Sequence, residues 1–206
     1  MRLQTRSYLR RKKRQGGFTL IEVLIVVLMI GVLSSIAAPG WLGFLGQQRV
    51  NRANDVVLRA LQRTQSEART RKLSYSFMIR MGSNGVPEIA SFADTDGITT
   101  PTNWQSLGAD IGLSPKQVWA GTNFTGTNEA SSTPTAVTTT PTGRIRFDHT
   151  GVLRSSAKSL ASPLNITLGQ FGSNPPRTST MRCVQITTLL GSMETRREDK
   201  CANVDP

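Results

Sequence analysis

The sequence predicts an α+β fold in which one long amino-terminal helix packs on an antiparallel β-sheet head. Three observations lead to this prediction. The chain is predominantly apolar from Phe18 to Ala38, and apolar residues then recur with helical spacing from Pro39 to about Lys72. From Leu73 onward, apolar residues alternate in short runs, which is typical of strands. A helix followed by several short strands is the pattern of a head whose sheet wraps the helix.

Residues 1–17 form a basic leader. Of the formal net charge of +12 over 206 residues, this leader contributes seven, which leaves +5 for the remainder. The leader contains no acidic residue. Basic flanks of an apolar span stay in the cytoplasm, so we expect everything after Pro39 to lie outside it. The basic residues of the leader are Arg2, Arg6, Arg10, Arg11, Lys12, Lys13 and Arg14.

The apolar run from Phe18 to Ala38 has the length of a transmembrane helix. Its 21 residues would extend about 31 Å as a helix, which is close to the thickness of the hydrocarbon layer of a bilayer. Glu22 lies within this run, and an acidic side chain that faces lipid costs about 2.5–3.5 kcal/mol. We therefore expect Glu22 to have a charged partner, with snorkelling toward the interface as the alternative.

The residues at the start of the span carry a family resemblance. Gly17-Phe18-Thr19-Leu20-Ile21-Glu22, preceded by the basic leader, resembles the processing site of type IV prepilins and type II secretion pseudopilins. The resemblance implies that a prepilin peptidase removes residues 1–17 by cleaving after Gly17 and methylates the new amino terminus at Phe18. It also implies that Glu22 accepts the charge of a neighbouring subunit's amino terminus during assembly. A plain single-span anchor is the alternative.

Residues 39–72 predict the amphipathic half of the same helix. Apolar residues fall in one sector of a helical wheel, and basic residues fall opposite them. We expect the apolar sector to pack on the head, and the basic stripe to be a solvated face rather than a nucleic-acid site. The apolar sector contains Val50, Ala53, Val57, Ala60, Leu61, Thr64 and Ala68, and the basic stripe contains Arg49, Arg52, Arg59 and Arg63.

Residues 73–206 predict a β-rich globular head. Leu73 to Met81 predicts a half-buried strand, which a turn at Gly82–Gly85 joins to a second strand at Glu88–Phe92. Residues 93–143 predict a long flexible surface insertion, because Gly121 to Gly143 is dominated by small and polar residues. A second hairpin is predicted at Arg144–Asp148 and Val152–Arg154, which flank His149-Thr150-Gly151. Further strands are predicted at Leu164–Leu168, Met181–Thr188 and Ser192–Arg197.

Within the pilin class, the chain resembles one subgroup. The helix end Gln62–Ala68 leading into a strand, the hairpin Phe147-Asp148-x-x-Gly151 and the late strand pair resemble the minor pseudopilins called GspH in secretion systems and FimT in pili. This resemblance implies a pilin-like fold and a minor pilin or pseudopilin that assembles into a type IV pilus-like or type II secretion filament. Its partners would be other pilin or pseudopilin subunits, the prepilin peptidase and the inner membrane, with the head in the periplasm.

Cys183 and Cys201 are the two cysteines of the chain. In an oxidising compartment, an even pair near one terminus predicts a disulfide. Two free thiols or half of a metal site are the alternatives, but two cysteines without a cluster of histidines make a poor zinc site. We therefore expect a disulfide between Cys183 and Cys201, and we expect neither a metal nor a cofactor.

The catalytic and calcium-binding patterns in this sequence are incomplete. His149 is the single histidine, and no Gly-x-Ser-x-Gly elbow accompanies it. Asp94-Thr95-Asp96-Gly97 begins like a calcium loop but lacks the distal glutamate that would complete it. We therefore expect a structural and interaction protein rather than an enzyme. An exported, membrane-tethered enzyme is the alternative from another class.

The late arginines introduce a second candidate function. The resemblance to FimT implies an arginine-rich carboxy-terminal region that holds DNA during uptake, and clustered arginines suit phosphate because they bind it through paired hydrogen bonds. Arg182, Arg196 and Arg197 are the candidates in this chain. A DNA-binding minor pilin is therefore the alternative function. The acidic residues that dilute the positive field here are Glu194, Glu198 and Asp199.

Overall fold

The computed structural model describes residues 17–94, 101–109, 111–153 and 162–202. The chain forms two compact units, residues 1–42 and residues 43–206. The predicted leader, apart from Gly17, lies outside the described residues.

Helix α1 runs from Leu20 to Arg71 and contains 52 residues. At its start, the N–H group of Glu22 donates hydrogen bonds to the hydroxyl of Thr19 at 3.3 Å and to the carbonyl of Thr19 at 3.1 Å. At its end, Arg71 places a positive charge where the helix dipole favours one. Lys72 then has a φ of 56°, which is the left-handed conformation that commonly ends a helix. The helix covers both segments that the sequence predicts to be helical, except for Phe18, Thr19 and Lys72 at their ends.

Nine strands in the described residues form two antiparallel sheets. They are β1 (Tyr75–Met81), β2 (Pro87–Ala93), β3 (Gln105–Ser106), β4 (Val118–Phe124), β5 (Ala130–Ala136), β6 (Ile145–Phe147), β7 (Leu164–Gln170), β8 (Arg182–Ile186) and β9 (Met193–Arg197). A short helix, α2 (Asp199–Ala202), follows β9. The first sheet has the order β3-β2-β1-β6, and the second has the order β5-β4-β7-β8-β9. The α+β fold class is therefore confirmed.

The predicted hairpins and late strands are present. The first hairpin is the pair β1 and β2, and the late strands are β7, β8 and β9. The second hairpin is short, since the N–H group of Asp148 donates to the carbonyl of Val152 at 2.9 Å and Phe147 bridges to Leu153. Arg154, the last residue of this predicted hairpin, lies outside the described residues.

The core of the head lies between α1 and the two sheets. Phe77, Phe147 and Ile166 from the sheets belong to one buried cluster with the apolar face of α1. Burial of each such side chain contributes about 1.5–3 kcal/mol, so this cluster is the main source of stability of the head. The predicted sector is confirmed, because Ala60 is half-buried and the rest are fully buried: Val50, Ala53, Val57, Leu61, Thr64 and Ala68. The arginines of the basic stripe are exposed.

Strand β1 is more buried than its sequence predicts. All residues from Tyr75 to Ile79 are buried, so the prediction of a half-buried strand is wrong here. Ser76, on the face expected to meet solvent, is fully buried, and its hydroxyl donates a hydrogen bond to the carboxylate of Asp94 at 2.8 Å. A hydrogen-bonded polar group can be buried at little cost. The alternation of polar and apolar residues therefore does not show whether this face of β1 is buried.

The prediction of a surface insertion over residues 93–143 is wrong for β4, and residues 95–100 and 110 lie outside the described part. Strand β4 lies between β5 and β7, and all seven of its residues are buried. Its polar residues are satisfied internally, since the amide of Asn123 donates to the carbonyls of Ser131 at 2.8 Å and Pro163 at 2.9 Å. Gly121 has no room for a side chain, because the Trp119 ring occupies that place. The small and polar residues of β4 therefore belong to a closely packed strand.

Candidate functional site

Gly17 and Phe18, the predicted processing residues, lie immediately before α1. The side chain of Phe18 is 82 % exposed. A Cβ atom added at Gly17 would meet no atom within 4 Å, so nothing in the described chain requires a glycine there. A requirement for glycine would therefore come from another protein that handles this peptide bond. Cleavage and methylation at these two residues stay predictions.

Glu22 is the third residue of α1, and its side chain is exposed. Thr19 and Glu22 have the Thr-x-x-Glu spacing of a capping box, and the hydroxyl of Thr19 accepts the hydrogen bond from the Glu22 N–H group. The sequence contains this signature, but reasoning from the charge of Glu22 alone missed it. Among the described residues, no ion pair involves its carboxylate. Glu22 therefore sits at a helix start as well as in an apolar span.

The segment Leu20–Ala37 is long and apolar enough to cross a membrane, judged by length and composition. None of it is buried against the described residues. The exposed fraction of its large apolar side chains ranges from 84 % at Leu20 to 47 % at Ile25. A continuous apolar surface of this size marks a contact with lipid or with other protein chains.

The disulfide predicted between Cys183 and Cys201 is present in the structure. It ties α2 to strand β8, and both cysteines are fully buried. Three side-chain donors hold the same short helix. The amide of Asn165 and the hydroxyl of Thr167 donate to the carbonyl of Cys201 at 3.2 and 3.1 Å, and the amide of Gln185 donates to the Lys200 carbonyl at 2.8 Å. The carboxy-terminal segment is therefore part of the packed head.

The three candidate DNA-binding arginines do not form one patch. In the β8–β9 pair, Arg182 lies opposite Arg197, whereas Arg196 lies opposite Cys183. Successive residues of a strand point to opposite faces, so Arg196 is on a different face from Arg197. Arg196 also forms an ion pair with Glu194. The structure brings Arg182 and Arg197 together and separates Arg196 from them.

Arg182 makes contacts within the head. Its Nε atom donates to the side-chain oxygen of Asn51 at 3.1 Å, and its Nη1 atom donates to the carbonyl of Met181 at 2.7 Å. Burial, and then the positive charge of Arg197, lower the pKa of Arg182 below its ordinary value. The bond to Asn51 attaches β8 to α1, and the bond to Met181 uses a second donor group, so fewer donors of this guanidinium remain for a phosphate.

His149 lies in a turn, and Asp94 lies in an ion pair. His149 is exposed in the turn after β6, where the Asp148 carboxylate accepts hydrogen bonds from the N–H group and the hydroxyl of Thr150 at 2.8 and 2.6 Å. Burial raises the pKa of Asp148, but these hydrogen bonds outweigh it, so that pKa is lowered. Asp94 pairs with Arg146 at 3.0 Å, and residues 95–97 of the calcium pattern lie outside the described part. No metal-binding group of three or more His, Cys, Asp or Glu occurs among the described residues.

A cleft of about 440 Å³ lies between α1 and the first sheet. Arg59, Arg63, Arg71 and Phe77 contribute to its lining. Glu67 also lines it and pairs with both Arg63 and Arg71, which neutralises part of the positive charge. The sequence could not place this cleft, because its two walls come from a helix and from strands that only the fold brings together.

Comparisons with known proteins match the amino-terminal part of the chain. Residues 12–38 match the model of the prokaryotic N-terminal methylation motif. The chain is 46 % identical over 33 residues to the type II secretion system core protein G of Aeromonas hydrophila, covering 16 % of this chain and 23 % of that protein. It is 49 % identical over 41 residues to a fimbrial protein of Pseudomonas aeruginosa, covering 20 % of this chain and 27 % of that protein.

Two further proteins are similar to this chain. The type IV major fimbrial protein FimA of Dichelobacter nodosus is 46 % identical over 41 residues, covering 20 % of this chain and 26 % of FimA. The crystal structure of the type IV minor pilin FimU of Pseudomonas aeruginosa aligns over 74 % of this chain and 92 % of FimU, with 14 % identity and a TM-score of 0.45.

The chain thus spans about a quarter of the length of the curated relatives it matches. These relatives are named as fimbrial proteins and as a secretion core protein. Through residues 12–38, the chain carries the prokaryotic N-terminal methylation motif, and it is related at its amino terminus to type IV fimbrial proteins and to a type II secretion system core protein.

Proposed function

We propose that this chain is a minor pilin or pseudopilin of the GspH/FimT type. It assembles through α1 into a type IV pilus-like or type II secretion filament. The observation that carries this proposal is a matched methylation motif that coincides with an uncovered apolar helical segment, Leu20–Ala37. A stretch of this kind is stable only in lipid or among other apolar helices, and a subunit that moves from a membrane into a filament uses both surroundings in turn.

The basic leader and the span set the proposed location. The chain is a single-pass protein of the inner membrane, with its leader in the cytoplasm and its head in the periplasm before assembly. Its partners are the prepilin peptidase, the inner membrane and other pilin or pseudopilin subunits. The peptidase cleaves after Gly17 and methylates the amino group of Phe18.

Glu22 is the proposed attachment point between subunits. After cleavage, the amino group of Phe18 is a positive charge close to the membrane interior, and Glu22 of a neighbouring subunit is a negative one. Each charge is costly alone in an apolar setting, and the two offset one another when paired. The pairing also sets the position of one subunit along the helix of the next.

The experiment that tests the proposal measures processing. Co-expression of the full chain with a prepilin peptidase should remove residues 1–17 and leave a methylated Phe18, which intact-protein mass spectrometry detects. Gly17→Val should abolish the cleavage, because a β-branched side chain replaces a residue without a Cβ atom at the cut site.

Gly31→Val is the matched control. Gly31 also has no atom within 4 Å of an added Cβ, and it lies inside the apolar helix, so its substitution should leave cleavage intact. An uncut chain that retains Met1 in the presence of active peptidase, or a cut beyond Ala38, would contradict the proposal.

Two other functions have weaker support. The DNA-uptake alternative needs a joint arginine surface, yet Arg196 pairs with Glu194 and lies on a different face from Arg197. The enzyme alternative needs a catalytic group, and the one histidine, His149, lies in an exposed turn. Filament assembly uses the apolar helix itself and requires neither feature.

A further inference from the structure

Several segments of the head meet at one end of the second sheet. The strand register places Val118 opposite Gln170, and the N–H group of Phe171 donates to the carbonyl of Gln117 at 3.3 Å. The side-chain amide of Gln170 donates to the carbonyl of Gly43 in α1 at 3.2 Å. The start of β4, the end of β7 and the first residues of the head therefore lie side by side.

The β8–β9 pair adds the late arginines to the same end. Leu168 lies opposite Arg182, and Arg182 lies opposite Arg197. Arg177 follows the loop that leaves β7. We call this end of the head the basal surface and define it by Phe44, Lys116, Phe171, Arg177 and Arg197.

The basal surface combines exposed aromatic rings with positive charges. Phe171 is 49 % exposed, and Phe44 is 52 % exposed. Lys116, Arg177 and Arg197 are exposed, and no ion pair within the described part of the chain involves them. Together with Arg182 they give four positive charges. The acidic residues that follow β9, Glu198 and Asp199, give two negative charges, so the surface is net positive.

Chain connectivity limits how far Gly43 can lie from the end of the apolar span. The candidate span ends at Ala37, and Gly43 is six residues further along the chain. Six residues reach at most about 22 Å even when fully extended. Gln170 is hydrogen-bonded to Gly43, so in a chain whose apolar segment crosses a bilayer, the loop that begins at Phe171 stays near the lipid headgroups.

We propose that the basal surface docks on an anionic phospholipid surface in the subunit that awaits assembly. This inference rests on the proposed membrane-spanning role of α1. Aromatic rings are favoured at the level of the headgroups, and each Lys or Arg near an anionic surface adds attraction. Docking therefore gives a role to Arg177, Arg182 and Arg197 that needs no DNA. It also restricts the head to the membrane surface, where it meets other membrane-bound subunits.

The test compares two positions of the full chain reconstituted in vesicles. Ser173→Cys places a fluorescent label in the loop after Phe171, and Ser192→Cys places the same label at the other end of the sheet. Both serines are exposed, and β7 separates the two ends by about 20 Å. Quenching by headgroup-spin-labelled lipid is measured in vesicles of phosphatidylcholine with and without phosphatidylglycerol. The native cysteines stay disulfide-bonded and unlabelled.

We expect the label at residue 173, but not the label at residue 192, to be quenched strongly in the anionic vesicles. Lys116→Gln and Arg177→Gln should each lower the ratio of docked to undocked heads about fivefold, the factor for one basic side chain near an anionic surface. The matched controls, Arg59→Gln and Arg63→Gln, lie on α1 and should leave quenching unchanged. Raising the salt concentration should release the head.

Three results would overturn the inference. Equal quenching at the two positions in a chain that resists carbonate extraction shows an inserted protein whose head does not dock. If carbonate extracts the chain from the vesicles, the proposed membrane-spanning function is contradicted, and the docking inference that rests on it is contradicted as well. Protection of the label at residue 173 by duplex DNA, without quenching in anionic vesicles, identifies a nucleic-acid surface instead.

Discussion

Glu22 combines two physical roles that a single substitution can confuse. It is the third residue of α1, and its N–H group donates to the Thr19 hydroxyl in the arrangement of a capping box. It is also a carboxylate inside an apolar segment, where a negative charge facing lipid costs about 2.5–3.5 kcal/mol. The first role concerns how the helix begins, and the second concerns what the charge meets after assembly.

Glu22→Gln separates the two roles of Glu22. Glutamine can still complete a capping box, whereas it carries no charge to pair with the amino terminus of Phe18. We expect Glu22→Gln and Glu22→Ala both to insert into the membrane at least as well as the parent chain, and both to fail to enter filaments. Incorporation is measured by immunoblotting of sheared filaments against the membrane fraction.

The glutamine variant decides between the roles. If Glu22→Gln enters filaments normally while Glu22→Ala does not, the side chain acts through the helix start, and the charge pairing is wrong. Normal entry of both variants would remove Glu22 from the assembly site altogether.

At the scale of the element, the sequence predicts α1 better than it predicts β4. The residues that face the core recur every three or four positions along α1, so the buried stripe from Val50 to Ala68 is visible locally. Strand β4 is rich in small and polar residues, and its burial depends on partners distant in sequence. Asn123, for example, is satisfied by the carbonyls of Ser131 and Pro163 and by the N–H group of Asn165. No pattern among neighbouring residues in the sequence predicts which residues will be these hydrogen-bond partners.

The buried stripe of α1 can be tested at Leu61. This side chain is fully buried in the main cluster, so Leu61→Ala should lower the free energy of unfolding by about 2–5 kcal/mol through lost burial and the cavity left behind. Arg59→Ala, two residues away on the exposed face, should change it by no more than about 0.5 kcal/mol. Urea unfolding followed by tryptophan fluorescence measures both.

A loss below about 1 kcal/mol for Leu61→Ala would mean that the helix does not pack on the sheets as described. Equal losses for Leu61→Ala and Arg59→Ala would instead point to an effect on the helix as a whole.

At the scale of the whole molecule, the strands outside residues 93–143 were predictable, but their order in the sheets was not. Strand β1 pairs with both β2 and β6, and β4 pairs with β7, so neighbours in a sheet come from distant parts of the chain. The amino-terminal candidate residues follow from a contiguous motif and needed no fold. The separation of Arg196 from Arg182 and Arg197 depends on the β8–β9 register, which the sequence does not fix. The disulfide was predictable because only one pairing of two cysteines exists.

The disulfide gives the last prediction, because it holds the end of the chain to the head. Cys183 and Cys201 are 18 residues apart, and closing a loop of that size stabilises the folded state by about 3 kcal/mol on the entropic model. The double substitution Cys183→Ser/Cys201→Ser should therefore lower the free energy of unfolding by that amount, and the urea midpoint should move to a lower concentration. The parent chain in reductant is the matched control and should unfold at the same midpoint as the variant.

Hydrogen bonds from Asn165 and Thr167 to the Cys201 carbonyl do not require the bond between the sulfurs. We therefore expect α2 to stay docked in the reduced protein at low urea concentration, with slower hydrogen exchange there than in an unfolded peptide. Unchanged midpoints in reductant would show that the disulfide adds nothing to stability. Complete exchange of α2 on reduction, with the rest of the head still protected, would show that the covalent link alone holds the carboxy-terminal segment in place.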